Sequence, residues 1–227
     1  MATYRTIVVG DYADAVGDVL DLFPLAGAED TVYVLDLPPG DDILPLDHPA
    51  YRTSVRVHDD YADRHSGSSD AIVELSKGDD IAWLGAGQDL AKMGRGDDIA
   101  YGGSDDDVLF GGGDNDMLHG QTGDDLLFGG MHRDTLRGGQ GDDRLFGQHG
   151  ADRLHGGDGD DFLDGGAGSD VLEGGDGADT FIVGTGDTVQ DFTPGEDTYV
   201  IAAGADLSTI SGLDLASLVI AADVAVV

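Results

Sequence analysis

Gly138-Gly139-Gln140-Gly141-Asp142-Asp143-Arg144-Leu145-Phe146 is followed at once by Gly147-Gln148-His149-Gly150-Ala151-Asp152-Arg153-Leu154-His155, and then by Gly156-Gly157-Asp158-Gly159-Asp160-Asp161-Phe162-Leu163-Asp164. The same nine-residue frame runs in both directions from these copies, filling residues 75–182 twelve times without a slipped or inserted residue. Aspartate occupies the sixth place of every copy: Asp80, Asp89, Asp98, Asp107, Asp116, Asp125, Asp134, Asp143, Asp152, Asp161, Asp170 and Asp179. Glycine holds the fourth place in nine copies, and the eighth is Ala82, Ala91 and Ala100, then leucine from Leu109 to Leu172, then Phe181. Each copy therefore supplies one turn and one side chain to bury.

Glycines at the first, second and fourth places permit backbone angles with φ above zero and let carbonyl oxygens turn toward a common point. The three residues that follow the aspartate alternate outward, inward, outward, which is the period of a short strand. Two copies make a coil of eighteen residues, so twelve copies predict six coils and two facing sheets, with like turns stacked along each edge. At a strand spacing of about 4.8 Å the stack is roughly 29 Å tall.

The copies 138–146 and 156–164 resemble the nonapeptide of the RTX (repeats-in-toxin) proteins, G-G-x-G-x-D-x-U-x, over about half the chain. Twelve copies in phase make the resemblance specific where one would be weak. It implies an all-β fold, a right-handed parallel β-roll that binds calcium. It also implies export by type I secretion machinery, which reads an uncleaved C-terminal signal.

Electrostatics lead to the same metal without the family name. Aspartates of copies n and n+2 fall in register on one edge, and unit charges about 5 Å apart at an effective dielectric near 20 repel by roughly 3 kcal/mol. A hard divalent cation between successive turns, held by carboxylate and carbonyl oxygens, converts that repulsion into ligation. Oxygen-only ligands at flexible spacing suit Ca2+ better than Mg2+. A merely solvated acidic face needs acidity anywhere, not aspartate at every ninth residue with leucine two places on.

The copies differ in the frame they offer an ion. Asp125, Asp143, Asp161 and Asp179 in the even copies, and Asp152 and Asp170 in the odd ones, keep most of the glycines; Gly123, Gly139, Gly141, Gly150, Gly157, Gly159, Gly166, Gly168, Gly175 and Gly177 complete these candidate sites. Asp105, Asp114 and His132 replace the fourth glycine beside Asp107, Asp116 and Asp134, which predicts weaker or altered sites. Asp80, Asp89 and Asp98 lack the glycine pair, with Leu75, Leu84 and Met93 at the first place. His119, His132, His149 and His155 do not share one repeat position, which argues against a column of transition-metal sites.

Composition narrows the partners. The formal net charge of -35, from 46 acidic and 11 basic residues, disfavours nucleic acid and anionic surfaces. Absence of cysteine removes disulfides and thiolate metal sites. No apolar run approaches a membrane span, and Ile7-Val8-Val9 is too short for the apolar region of a cleaved signal. The location expected from the resemblance is extracellular, after secretion.

Residues 1–65 read as a β-rich N-terminal cap, with strands over 3–9, 31–37 and 52–57, a short helix over 13–23 and a turn at Pro38-Pro39-Gly40-Asp41-Asp42. No His-Glu-x-x-His, Gly-x-Ser-x-Gly or P-loop occurs in the chain. His48, His58 and His65 with Asp59 and Asp60 read as an acidic surface loop, and Ser66 and Ser68 as a linker. Residues 66–182 form the roll, with 70–73 a degenerate first coil displaced by one residue.

Residues 183–227 form a C-terminal cap and secretion signal. Within them Gly186 to Asp197 reads as a closing strand with a Pro-Gly turn, Asp187, Asp191 and Asp197 as further ligands, 214–222 as a helix and Asp223-Val224-Ala225-Val226-Val227 as the terminal signal. Outward places are apolar in the first half, at Ile81, Trp83, Leu90, Ile99, Tyr101, Val108, Phe110, Met117, Leu126 and Phe128. Such a face calls for cover: residues 1–65 packed across it, or a homodimer or protein partner near Trp83. The chain reads as a secreted calcium-binding roll without a catalytic site. The competing classes are a small secreted enzyme of hydrolase or epimerase type and an extracellular adhesion or matrix module.

Overall fold

The x-U-x triplets become strands because their outward residues are β-formers or long side chains while each inward residue meets its equivalents above and below. The computed structural model describes residues 31–34, 42–46, 53–56, 61–65, 71–75, 77–206 and 208–212. Four short strands come first: β1 (Thr31–Val34), β2 (Asp42–Leu46), β3 (Thr53–Arg56) and β4 (Tyr61–His65), then β5 (Ala71–Glu74). The nonapeptides follow as β6 (Ile81–Ala86), β7 (Leu90–Arg95), β8 (Ile99–Ser104), β9 (Val108–Gly113), β10 (Met117–Thr122), β11 (Leu126–Met131), β12 (Thr135–Gln140), β13 (Arg144–Gly150), β14 (Arg153–Asp158), β15 (Phe162–Asp164), β16 (Ala167–Gly168), β17 (Val171–Asp176) and β18 (Thr180–Val183). β19 (Thr188–Val189) and β20 (Thr198–Ile201) close the series, and the described residues contain no helix.

Successive strands alternate between two sheets. The first orders β1-β3-β5-β7-β9-β11-β13-β15-β18-β20, with β16 beside β13, and the second β19-β17-β14-β12-β10-β8-β6-β4-β2. Every strand pairing is parallel, and within the repeat the register is eighteen residues: Leu127 stands between Leu109 and Leu145, and Leu136 between Leu118 and Leu154. The chain is a parallel β-solenoid, as the repeat predicts. No described helix is long and apolar enough to cross a membrane.

Two residues per strand face inward, at the eighth place and at the first place of the next copy. From the strand of Leu109 to that of Leu172 the pair is leucine with glycine, and Leu109, Leu118, Leu127, Leu136, Leu145, Leu163 and Leu172 are fully buried, each burial contributing roughly 2 kcal/mol. The earliest coils reverse the sizes. Val73 pairs with Leu75, Ala82 with Leu84 and Ala91 with Met93, all buried. β8 has no large inward side chain, only Ala100 with Gly102, whereas β18 has two, Phe181 with Val183.

The N-terminal end departs from the expected plan. Within residues 1–65, expected to pack across the outer face, β1 to β4 instead continue the two sheets along the roll axis, stacked on β5 and β6. Their offsets are irregular, Thr31 to Thr53 and Asp42 to Tyr61, so no nine-residue period marks them. β5 is not displaced: Ile72 pairs with Leu90 and Val73 with Ala91, in the common register. It is Asp70 that falls one place short of the aspartate position, where Ala71 stands. The expected strand over 3–9, the helices over 13–23 and 214–222, turn residues 38–41, His48 and His58, Ser66, Ser68 and the terminal signal lie outside the described residues; Asp42, expected in the turn, opens β2, and His65, expected in an acidic surface loop, ends β4.

Outward apolar side chains stack along the axis. Phe110, Phe128 and Phe146 form a ladder on the first sheet with ring centroids 4.8 and 5.1 Å apart, and Phe162 tilts against its end at 5.7 Å. Trp83, Tyr101 and His119 stack likewise on the second sheet at 5.9 and 5.0 Å. Stacking leaves these rings half-buried rather than wet, although Ile72, Met117 and Met131 remain exposed.

Candidate metal centre

The sixth-place aspartate ends the turn, and its neighbours decide where its carboxylate lies. The strand that starts just after it fixes its backbone, so the side chain folds inward under the turn; all twelve are at most 3% exposed. Within a column each carboxylate reaches one coil back. The backbone N–H of Asp125 donates to Oδ1 of Asp143 at 2.8 Å, Asp143 to Asp161 at 2.8 Å, and Asp161 to Asp179 at 2.9 Å. On the opposite edge Asp98, Asp116, Asp134 and Asp152 donate in the same way to the next aspartate, at 3.0, 2.9, 2.9 and 2.8 Å.

The second oxygen has no such partner. In the ten aspartates from Asp98 to Asp179, Oδ2 is buried without a hydrogen bond, a state that costs several kcal/mol for a charged group. Oδ2 points at the first-place glycine of its own turn: a Cβ on Gly120, Gly138, Gly156 or Gly174 would run into Oδ2 of Asp125, Asp143, Asp161 or Asp179. That glycine is there for room, not for its dihedral angles. Positive φ belongs to the second and fourth places, as at Gly139 (131°) and Gly141 (125°).

Burial governs the charge. Desolvation raises these carboxylates far above the ordinary aspartate range, to about 8 at Asp107, Asp116 and Asp143, about 7 at Asp98, Asp125, Asp134, Asp161 and Asp170, and about 6 at Asp152 and Asp179. The donated backbone hydrogen bond opposes the shift, and the stacked carboxylate neighbours of Asp107, Asp116 and Asp143 add to it. At neutral pH the metal-free column is caught between ionising without a counter-charge and holding protons.

A hard cation resolves this conflict, and the donor set is made only of oxygen. Carbonyl oxygens of Gly123, Gly141 and Gly159 face the fourth-place glycine of the next coil, and those of Gly139 and Gly157 face the second-place glycine. Gly150 presents its carbonyl to Gly168 in the same way. No three acidic or histidine side chains converge on one point among the described residues. An ion in this column would therefore complete its shell from two stacked carboxylates and turn carbonyls, a composition that Ca2+ accepts.

The predicted ligands thus fall into two columns. Asp107, Asp125, Asp143, Asp161 and Asp179 lie on one edge, and Asp116, Asp134, Asp152 and Asp170 on the other. Asp187 and Asp197 continue them as terminal members, in a different role. Oδ1 of Asp187 accepts from Asp170 N–H at 3.0 Å and Oδ2 from Gly184 N–H at 2.6 Å; Asp197 accepts from Asp179 at 3.0 Å and from Thr193 at 2.6 Å. Both oxygens are occupied, so these residues finish the ladders with hydrogen bonds. Asp191 accepts from Gly174 and Gly175 at 3.0 and 2.8 Å outside either column.

Sequence reasoning missed that the aspartate turn tolerates non-glycine residues at strained angles. Asp105, Asp114 and His132 at the fourth place and Gln121 and Gln148 at the second adopt φ between 71° and 88°. It also missed that His119 and His155 do share a place, on either side of Arg137 in one ladder of the second sheet. That ladder borders a shallow groove with Gln140, Arg153, Asp158 and Glu173. His155 meets Glu173 at 3.8 Å.

No curated protein matches the chain. The family model described as RTX calcium-binding nonapeptide repeat (4 copies) matches residues 94–127, 128–163 and 155–189, which leaves out the leucine-bearing first copies. Calcium is the cofactor of such repeats, and the paired columns of buried aspartate fit it. Residues 94–189 of the roll are RTX calcium-binding nonapeptide repeats.

Proposed function

We propose that the chain is a secreted protein whose roll folds as it binds extracellular calcium, after export by type I secretion machinery. The observation that carries this reading is the unpartnered oxygen on each buried aspartate from Asp98 to Asp179. A fold that buries so many carboxylates needs a counter-charge that is scarce inside a cell and plentiful outside. Sites of the weak extracellular class, with dissociation constants of about 0.1 to 1 mM, each stabilise by about 2.7 kcal/mol at a hundredfold excess. The nine aspartates from Asp107 to Asp179, with their turn glycines, are the ligands in this proposal, the best framed being Asp125, Asp143, Asp161, Asp179, Asp152 and Asp170.

In the same reading residues 1–65 close the N-terminal end of the roll, residues 66–182 bind the metal, and 183–227 close the other end and hold the export signal. The chain works as a calcium-dependent scaffold with no enzymatic activity of its own. Apolar outward residues near Trp83 offer a contact to a second copy or another protein. Far-UV circular dichroism during a calcium titration at pH 7.5 tests the central step: little β signal in chelator, and a cooperative gain with calcium. A full β spectrum in chelator that calcium leaves unchanged would refute it. Turnover on a panel of hydrolase and epimerase substrates would replace the scaffold reading with an enzyme.

A further inference from the structure

Alternation of the strands sorts the copies. Turns 84–89, 102–107, 120–125, 138–143, 156–161 and 174–179 lead into the first sheet and share one edge; turns 75–80, 93–98, 111–116, 129–134, 147–152 and 165–170 lead into the second sheet and share the other. At the third to fifth places the first edge carries seven aspartates, Asp105, Asp106, Asp124, Asp142, Asp158, Asp160 and Asp176, and no basic residue or histidine. At the same places the second edge carries Asp79, Asp97 and Asp114 against Lys77, Arg95 and Arg133, with His132 and His149. A nine-residue period treats all copies alike. Only the coil of eighteen separates them.

The two edges also differ in how their surface residues are tied. On the first, Asp124, Asp142, Asp160 and Ala178 donate their N–H groups to Oδ1 of Asp106, Asp124, Asp142 and Asp160 at 2.8 to 3.0 Å, an unbroken acidic ladder beside the buried column. On the second, the ladder runs Asp79, Asp97, Asn115 and ends at Arg133. At the same level the fourth place is His132, whose Nδ1 accepts from Asp114 N–H at 3.3 Å. The guanidinium of Arg133 reaches the carboxylate of Asp152, whereas Asp142 and Asp160 bear on Asp161 and Asp124 on Asp143; on the second edge one surface aspartate, Asp97, bears on Asp116.

We infer that the roll has two unequal calcium columns: the first edge, around Asp125, Asp143 and Asp161, fills at low calcium, and the second, around Asp116, Asp134 and Asp152, only at higher calcium. Coulomb attraction for a divalent ion grows with each added carboxylate and falls with each guanidinium within a Debye length. Two pairs of neighbouring turns balance, 75–80 with 84–89 and 111–116 with 120–125, and in each of the other four the first edge is the more acidic. The first edge then holds the fold while the second reports the ambient calcium level. This inference rests on the calcium reading proposed above.

Anomalous scattering from crystals of the full chain grown over a series of limiting calcium concentrations separates the two. Density should rise first between the aspartates of the first edge. The double variant His132→Gly with Arg133→Asp gives turn 129–134 the fourth- and fifth-place residues of the other edge, and should lower the calcium needed at Asp134 and Asp152 by about threefold or more. Equal filling of both edges in the unaltered protein, or filling of the second edge first, would overturn the inference while leaving calcium binding intact, and so would a folded double variant with unchanged occupancy. Density on neither edge at saturating calcium would instead remove the calcium reading on which it stands.

Discussion

A single methyl group separates the first-place glycines from every other residue. At Gly138 the added carbon would occupy the space of Oδ2 of Asp143, and φ there is not positive, so the objection is steric and local. Gly138→Ala should therefore remove one ion from the calcium stoichiometry by calorimetry and lower stability in saturating calcium by about 1 to 3 kcal/mol in urea titrations. Gln148→Gly should act in the other direction. Its φ of 71° is one an L side chain adopts at a cost, and relief of about 1 kcal/mol is expected from the same titration. An unchanged ion count in the alanine variant, or a less stable glycine variant, would contradict these assignments. Sequence pattern alone showed glycine at all three places but credited them with one purpose, because a packing restriction and a dihedral restriction select the same residue.

At the scale of the column, proton and calcium ion compete for the same oxygens. Folded aspartates sit near 6 to 8 here, against about 3.9 in an unfolded chain, so between about pH 4 and 8 the metal-free fold binds more protons than the unfolded chain does. Stability of the metal-free roll must then fall as pH rises through that window. In chelator, β structure by circular dichroism should be greater at pH 5 than at pH 8, and calcium binding at pH 7 should release protons detectable in weakly buffered calorimetry. A metal-free fold that strengthens from pH 5 to pH 8 would show the columns to be ionised without calcium. The repeat strands were legible because one inward residue every ninth position fixes period, face and register together. β1 to β4 were not, since offsets such as Thr31 to Thr53 carry no recurrent spacing. Nor was the role of Asp187 and Asp197, whose two occupied oxygens depend on the Gly184 and Thr193 turns.

For the whole molecule the open question of energetics is its outer surface. The sequence indicated an apolar outer face in need of cover; much of that cover is internal, ring upon ring along Phe110, Phe128 and Phe146 and along Trp83, Tyr101 and His119. Met117 stays 39% exposed beside the second ladder, and exposed apolar patches on folded proteins usually mark contacts. Sedimentation velocity of the calcium-loaded protein should show a dimer that Met117→Lys with Tyr101→Lys dissociates. A monomer at high protein concentration would assign that face to water. The circular dichroism spectrum of the variant, compared with that of the unaltered protein, checks that the roll itself persists.

Alternation between two sheets also constrains how such a chain can grow or shrink. Gain or loss of eighteen residues adds or deletes a full circuit and returns every later side chain to its former side. Removing nine would carry each downstream residue to the opposite wall, setting Arg137 above Phe110 and mingling the acidic rim with the one that bears Arg133. Heredity can shorten this protein by an even number of copies and keep its two rims distinct; an odd number exchanges them.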